Sequence, residues 1–196
     1  MTTNRTRSFA AVAAIAVGVS LTACSQDAET TPTAATSAVT STSSAAASTT
    51  EQVPTDSSDK TSAAGTESKL TVVDVRVGEH DGFDRVVYEM GGTGTPGWRV
   101  KYVDAATQEG SGKPVDINGA AVIQVLIDGS AYPFDSGVEQ YSGPNPVPGV
   151  GGVVTEVNGS NVFEGVTQSF IGVTEKQPFT VTTLSDPPRV VVDVAR

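Results

Sequence analysis

The side chains best equipped for chemistry fall in a few places along the 196 residues. His80, the only histidine, lies in Glu79-His80-Asp81-Gly82-Phe83-Asp84. Cys24 is the only cysteine. Arg85 and Arg189 each open a copy of one phrase, Arg85-Val86-Val87-Tyr88-Glu89-Met90 and Arg189-Val190-Val191-Val192-Asp193-Val194. Tyr132, Phe134 and Tyr141 share a stretch rich in glycine and proline. Nucleophilic catalysis needs a base beside the nucleophile, and His80 has no nucleophile-elbow sequence to serve. A zinc site wants three ligands at recognisable spacing, and Asp81 with Asp84 lacks the alternating oxygen ligands of a calcium loop. These residues therefore predict no catalytic centre, no metal and no cofactor. His80, Asp81 and Asp84 read instead as residues that order a turn ahead of a strand.

The arginine phrases carry a different chemistry. A guanidinium fork suits carboxylates, which makes Arg85 and Arg189 candidates for a ligand's acidic groups. Val86, Tyr88 and Met90 alternate with Arg85, Val87 and Glu89, the period of two that marks a half-buried strand. Val190, Val192 and Val194 do the same in the second copy. The two phrases are expected to be the first and last core strands of one sandwich. The competing expectation is structural, with Arg85 paired to Glu89 and Arg189 to Asp193 along or across strands.

What positions these groups begins with an N-terminal targeting segment, residues 1–23. Arg5 and Arg7 precede the apolar run Phe9 to Leu21, too short to span a bilayer comfortably. The run closes on Leu21-Thr22-Ala23-Cys24, which resembles the bacterial lipobox. That resemblance implies lipidation of Cys24, cleavage before it, and anchoring on the extracytoplasmic face of the cell membrane. Lipidation would use the sole thiol and leave no disulfide. Residues 24–68 read as a tether. Thirty of the 44 residues from Ser25 to Ser68 are Ser, Thr or Ala, a composition expected to stay disordered. As a flexible coil it would span about 36 Å.

Residues 69–196 have the length of one domain. Leu70–Val77, Phe83–Met90, Trp98–Val103, Ala121–Ile127, Val153–Val157, Val166–Val173, Phe179–Leu184 and Val190–Val194 all read as strands. Asn158-Gly159 predicts a tight hairpin turn. Short strands without crossover helices indicate an all-β fold, an antiparallel sandwich or barrel. Trp98, Val100 and Tyr102 are expected in the core, with Arg99 and Lys101 solvated. Between Asp128 and Gly152 lie six glycines and four prolines without strand pattern. Its Tyr132, Phe134 and Tyr141 are the candidates for stacking on sugar rings. The domain carries nine basic and 16 acidic side chains, which excludes nucleic acid as the expected partner.

The phrases His80-Asp81-Gly82-Phe83-Asp84-Arg85-Val86-Val87-Tyr88-Glu89, Pro96-Gly97-Trp98-Arg99-Val100-Lys101-Tyr102-Val103, Phe163-Glu164-Gly165, Pro178-Phe179 and Asp186-Pro187-Pro188-Arg189-Val190-Val191-Val192-Asp193-Val194 resemble the AMIN-like domain of actinobacterial secreted and lipid-anchored proteins. The resemblance covers Leu70 to Arg196. That domain is in turn similar to the AMIN domain found beside cell-wall amidases and in secretins, a small β-sandwich that binds peptidoglycan. The resemblance implies an antiparallel β-sandwich without catalytic residues that binds peptidoglycan or another wall glycan. The alternative is a protein-interaction subunit that holds another envelope protein through sheet edges or the long 128–152 loop.

Overall fold

A computed structural model describes residues 51–196. The targeting segment 1–23, Cys24 and the first part of the tether lie outside the described residues. The fold is all-β, with every ladder between named strands antiparallel. Its elements are β1 (Lys60–Ser62), β2 (Lys69–His80), β3 (Phe83–Thr93), β4 (Gly97–Val103), β5 (Ala121–Asp128), α1 (Pro133–Ser136), β6 (Val147–Pro148), β7 (Val154–Phe163), β8 (Val166–Val173), β9 (Phe179–Leu184) and β10 (Arg189–Ala195). One sheet runs β1-β4-β5-β8-β7-β6 and the other β2-β3-β10-β9.

The core between them is built from the alternation that the sequence shows. Val86, Tyr88 and Met90 of β3 and Val190, Val192 and Val194 of β10 are at most 1% exposed. They meet Trp98, Val100, Ile123, Val125, Ile127 and Ile171 of the larger sheet. The Tyr88 hydroxyl crosses the interior to Ser169 Oγ (3.0 Å), which donates in turn to Asn158 O (3.0 Å). Burial raises the Tyr88 phenol far above its ordinary range, so it stays a neutral hydrogen-bonding group. β8 is buried on both faces because the chain between β4 and β5 folds over its outer side. There Gln168 donates to Thr107 O (2.9 Å) and accepts from Glu109 N–H (2.9 Å).

Three expectations need correction. The domain does not begin at Lys69, because residues 51–68 belong to the same compact unit as the sandwich. β1 pairs with β4, Pro54 is buried, and Asp56 O accepts the Phe179 N–H (3.0 Å). Backbone pairing to a sheet edge is indifferent to a Ser/Thr/Ala composition, so composition gives no sign of it. Nor does Asn158-Gly159 turn the chain. β7 runs straight through it, with a register shift between Gly159 and Asn161. The hairpin closes instead at Glu164-Gly165, both at positive φ (47° and 81°), as a tight two-residue connection requires. Finally, the first arginine phrase is not the first core strand, because β2 precedes it with Leu70, Val72 and Val75 in the core, whereas the second is the last. The two phrases are neighbours in one sheet.

Candidate functional site

The two phrases lie side by side and antiparallel, so each arginine faces the other copy's acid: Arg85 opposite Asp193, Arg189 opposite Glu89. The outcome is asymmetric. Arg85 makes a two-pronged pair with Asp193 (Nε–Oδ1 2.7 Å, Nη2–Oδ2 2.9 Å) and donates a further bond to Glu51 Oε1 (2.6 Å). Asp193 chiefly raises the Arg85 guanidinium above its already high range. Glu89 instead accepts from Arg76 (3.0 and 3.1 Å), which also holds Asp74. Arg189 is left with a bond from Nε to Pro187 O (3.2 Å) and no carboxylate partner among the described residues. Of the two candidates for carboxylate recognition, Arg85 is thus committed to the fold and Arg189 is not. Neither arginine takes the acid of its own phrase.

The turn at His80 is structural and has a partner no sequence motif marks. The segment 51–57 crosses the outer face of the four-stranded sheet as a strap. Its Glu51 meets His80 Nδ1 (2.9 Å) as well as Arg85, and His80 stacks on Phe83 (ring centroids 4.9 Å apart). The His80 bond is the largest influence holding the Glu51 carboxyl below its ordinary value, with Arg85 adding to it. Val53 lies over Gly82, whose φ of 83° favours glycine. Asp84 points inward and is fully buried. It accepts not from its own turn but from Val154 N–H (2.9 Å), across in the other sheet, and from Arg196 Nε (2.7 Å). Arg196 also holds Glu79 (2.6 Å). A Cβ at Gly152 would collide with the Asp84 carboxylate, so glycine there is a packing requirement. Beside this cluster is a shallow depression of about 300 Å³ between Gly151–Val153, Thr174, Glu175, Gln177 and Arg196. Its one guanidinium is already held by two carboxylates.

The long loop is pinned rather than loose. Leu70 N–H donates to Gly129 O (3.1 Å), Ala131 N–H to Leu70 O (2.7 Å) and Tyr141 N–H to Val72 O (2.8 Å), so the loop backbone lies along the first part of β2. Thr71 Oγ1 adds bonds to Ala131 O (2.8 Å) and the Ser136 hydroxyl (2.7 Å). Within this frame, proline opens α1 and Gly137, at φ 76°, closes it. The expected aromatics then divide. Tyr141 is half-buried against the core and donates to Pro144 O (2.9 Å), which removes it from a stacking surface. Desolvation, with Asp74 nearby, raises its phenol. Tyr132 and Phe134 face solvent, 40% and 82% exposed. Their rings stack on each other, 5.4 Å apart and 9° from parallel. Trp98, by contrast, is core, and its indole N–H donates to Thr183 Oγ1 (3.0 Å).

A stacked aromatic pair on a fixed turn presents flat apolar area at low ordering cost. Sequence reasoning missed Lys69, which is exposed and has no carboxylate partner among the described residues. Its only sequence signal is that it precedes Leu70, where the loop docks. No curated protein and no solved structure matches the chain. The AMIN-like domain family does, over residues 70–196, and by that match across most of its length the chain belongs to the AMIN-like family.

Proposed function

We propose that this chain is a non-catalytic cell-envelope protein, held by lipid at Cys24 on the extracytoplasmic face of the membrane, whose β-sandwich binds peptidoglycan or another wall glycan. One observation carries the reading: Phe134, 82% exposed, stacks on Tyr132 on a turn whose backbone is tied to β2. The two rings form one exposed apolar patch in place of singly scattered residues, and such patches mark ligand or partner sites. Sugar rings present C–H faces to such platforms, and the amphipathic tyrosine can also bond a hydroxyl. Lys69 and Arg189, which like Lys101, Lys113 and Lys176 have no carboxylate partner among the described residues, are the cations we assign to the carboxylates of peptide stems. Membership of the AMIN-like family supports an envelope role.

The test is co-sedimentation of the protein with purified sacculi. Wild-type protein is expected in the pellet, and Phe134→Ala with Tyr132→Ala is expected in the supernatant at unchanged melting temperature. Pelleting that survives the double substitution moves the site elsewhere. A wild-type protein that does not pellet sinks the glycan reading and favours an envelope protein as the partner.

A further inference from the structure

The two sheets end on edges of different character. The six-stranded sheet ends on β1, three residues long, and β6, two residues that include Pro148. Edges so short offer an incoming strand little to pair with. In the four-stranded sheet, the first part of β2 is covered by the loop backbone. Beyond a register shift at Val72/Asp74, β2 carries Arg76 and Glu79. Charge and irregularity are the usual protections of an open edge.

β9 has none of them. Phe179–Leu184 reads Phe-Thr-Val-Thr-Thr-Leu, without charge, proline or register shift. The bond from Ala195 N–H to Pro178 O (2.9 Å) fixes the alternation. Thr180, Thr182 and Leu184 turn their backbone groups to β10, whereas Phe179, Val181 and Thr183 turn theirs outward. Asp56 O takes the Phe179 N–H. The outward backbone groups of Val181 and Thr183 have no partner among the described residues. Leu184, at the end of the strand, is 43% exposed.

We propose that β9 pairs antiparallel with β9 of a second copy, about a two-fold axis through Thr182, doubling the width of the four-stranded sheet. The strand matches itself in this register. Val181 and Thr183 exchange backbone bonds with their counterparts Thr183 and Val181. Thr182 faces its own counterpart as a non-hydrogen-bonded pair, and Leu184 covers Thr180 on the outer face. Charge also favours a second copy here. A chain of net charge −10 repels itself at most faces, and β9 is uncharged, with neighbouring Asp193 neutralised by Arg85. The edge is independent of glycan binding, because Tyr132 and Phe134 sit on the loop along β2, at the opposite edge of the sheet.

The experiment uses the whole chain with Cys24→Ser, which removes both the lipid site and the only thiol. Sedimentation velocity over a concentration series is expected to show a reversible monomer–dimer equilibrium. Thr182→Lys lies on an exposed position and sets two ammonium groups opposite each other. It is expected to raise the dissociation constant about fivefold without changing the melting temperature. Thr182→Cys is expected to form a covalent dimer under mild oxidation, and Thr180→Cys, which faces Leu184 in this register, is not. Should Thr182→Lys fail to fold, the two cysteine variants still decide. A monomer at every concentration, a dimer indifferent to Thr182→Lys, or equal crosslinking through Thr180 overturns the proposal. Association seen only on adding an envelope extract also overturns it and gives the edge to a different protein.

Discussion

Arg85 and Asp193 stand directly opposite on β3 and β10 as a non-hydrogen-bonded pair. Arg196 N–H bonds Gly82 O and Met90 N–H bonds Pro188 O, so the bonded pairs alternate and leave Arg85/Asp193 between them. Cα atoms come closest in such pairs, near 4.5 Å, which brings the fork onto the carboxylate. With side chains 24% and 10% exposed, the pair is more than a solvated surface bridge and less than a buried one. A double-mutant cycle of Arg85→Ala and Asp193→Ala should give a coupling of about 1–2 kcal/mol in urea unfolding. Additive losses would mean that the two side chains do not act together.

Asp84 should matter more. Asp84→Ala leaves the Val154 N–H without its acceptor and Arg196 without its buried partner. The expected loss is about 3 kcal/mol, read as a lower urea midpoint at unchanged slope. Asp84→Asn keeps an acceptor for Val154 and should lose less.

The Glu51 contact predicts a pH dependence confined to acid. Its carboxyl is held below the ordinary value of 4.5, first by His80 and then by Arg85. A group depressed on folding stabilises fully above its unfolded value and loses that contribution as pH falls through its folded value. Wild type should therefore exceed Glu51→Gln in stability at neutral pH. The gap should close as pH drops below about 4.5, as followed by thermal melts. A gap that widens toward acid would contradict the assignment.

Shortening the chain should also be felt. A protein begun at Lys69 lacks β1, Pro54 and the acceptor for the Phe179 N–H. It should melt several degrees below one begun at Glu51, since about 1 kcal/mol moves a domain of this size by ~2–8 °C. Identical melting would show that residues 51–68 add nothing to stability.

The loop aromatics should separate by readout. Tyr141→Ala removes a half-buried ring and its bond to Pro144, with an expected loss of about 2 kcal/mol. Phe134→Ala, at 82% exposure, should stay within about 0.5 kcal/mol of wild type. It should nevertheless weaken pelleting with sacculi.

The strands and the core face were legible because alternation reports burial locally: Val86, Tyr88 and Met90 could be read inward from their own spacing. The partners of Arg85 and Arg189 were not, because pairing depends on register between strands about 100 residues apart. Arg76 intervenes from a third strand, and no local pattern announces it. Asn158-Gly159 misled for a related reason. Its turn preference is weaker than the ladder to β8 on one side, with the Gly159 N–H held by Asn145 Oδ1 (3.0 Å) on the other. The strap escaped notice because a few contacts, at Glu51, Val53 and Pro54, order it rather than an apolar run. For the candidate site, exposure of Tyr132 and Phe134 followed from their Gly/Pro surroundings. Tyr141 shares those surroundings, and its backbone bond to Val72 O and packing against the core set it apart.

The strap has a mechanical consequence. Tension applied through the chain ahead of Glu51 meets the fold at single, successive points: the Glu51 carboxylate, then Val53 over Gly82, then Asp56 on Phe179. Contacts pulled one at a time yield at lower force than contacts pulled together. Residues 51–59, drawn straight at ~3.4 Å each, release a segment of about 30 Å contour length before the first strand of the larger sheet is disturbed. Under the anchoring and wall binding proposed above, such a strap would lengthen the protein's reach without unfolding its sandwich.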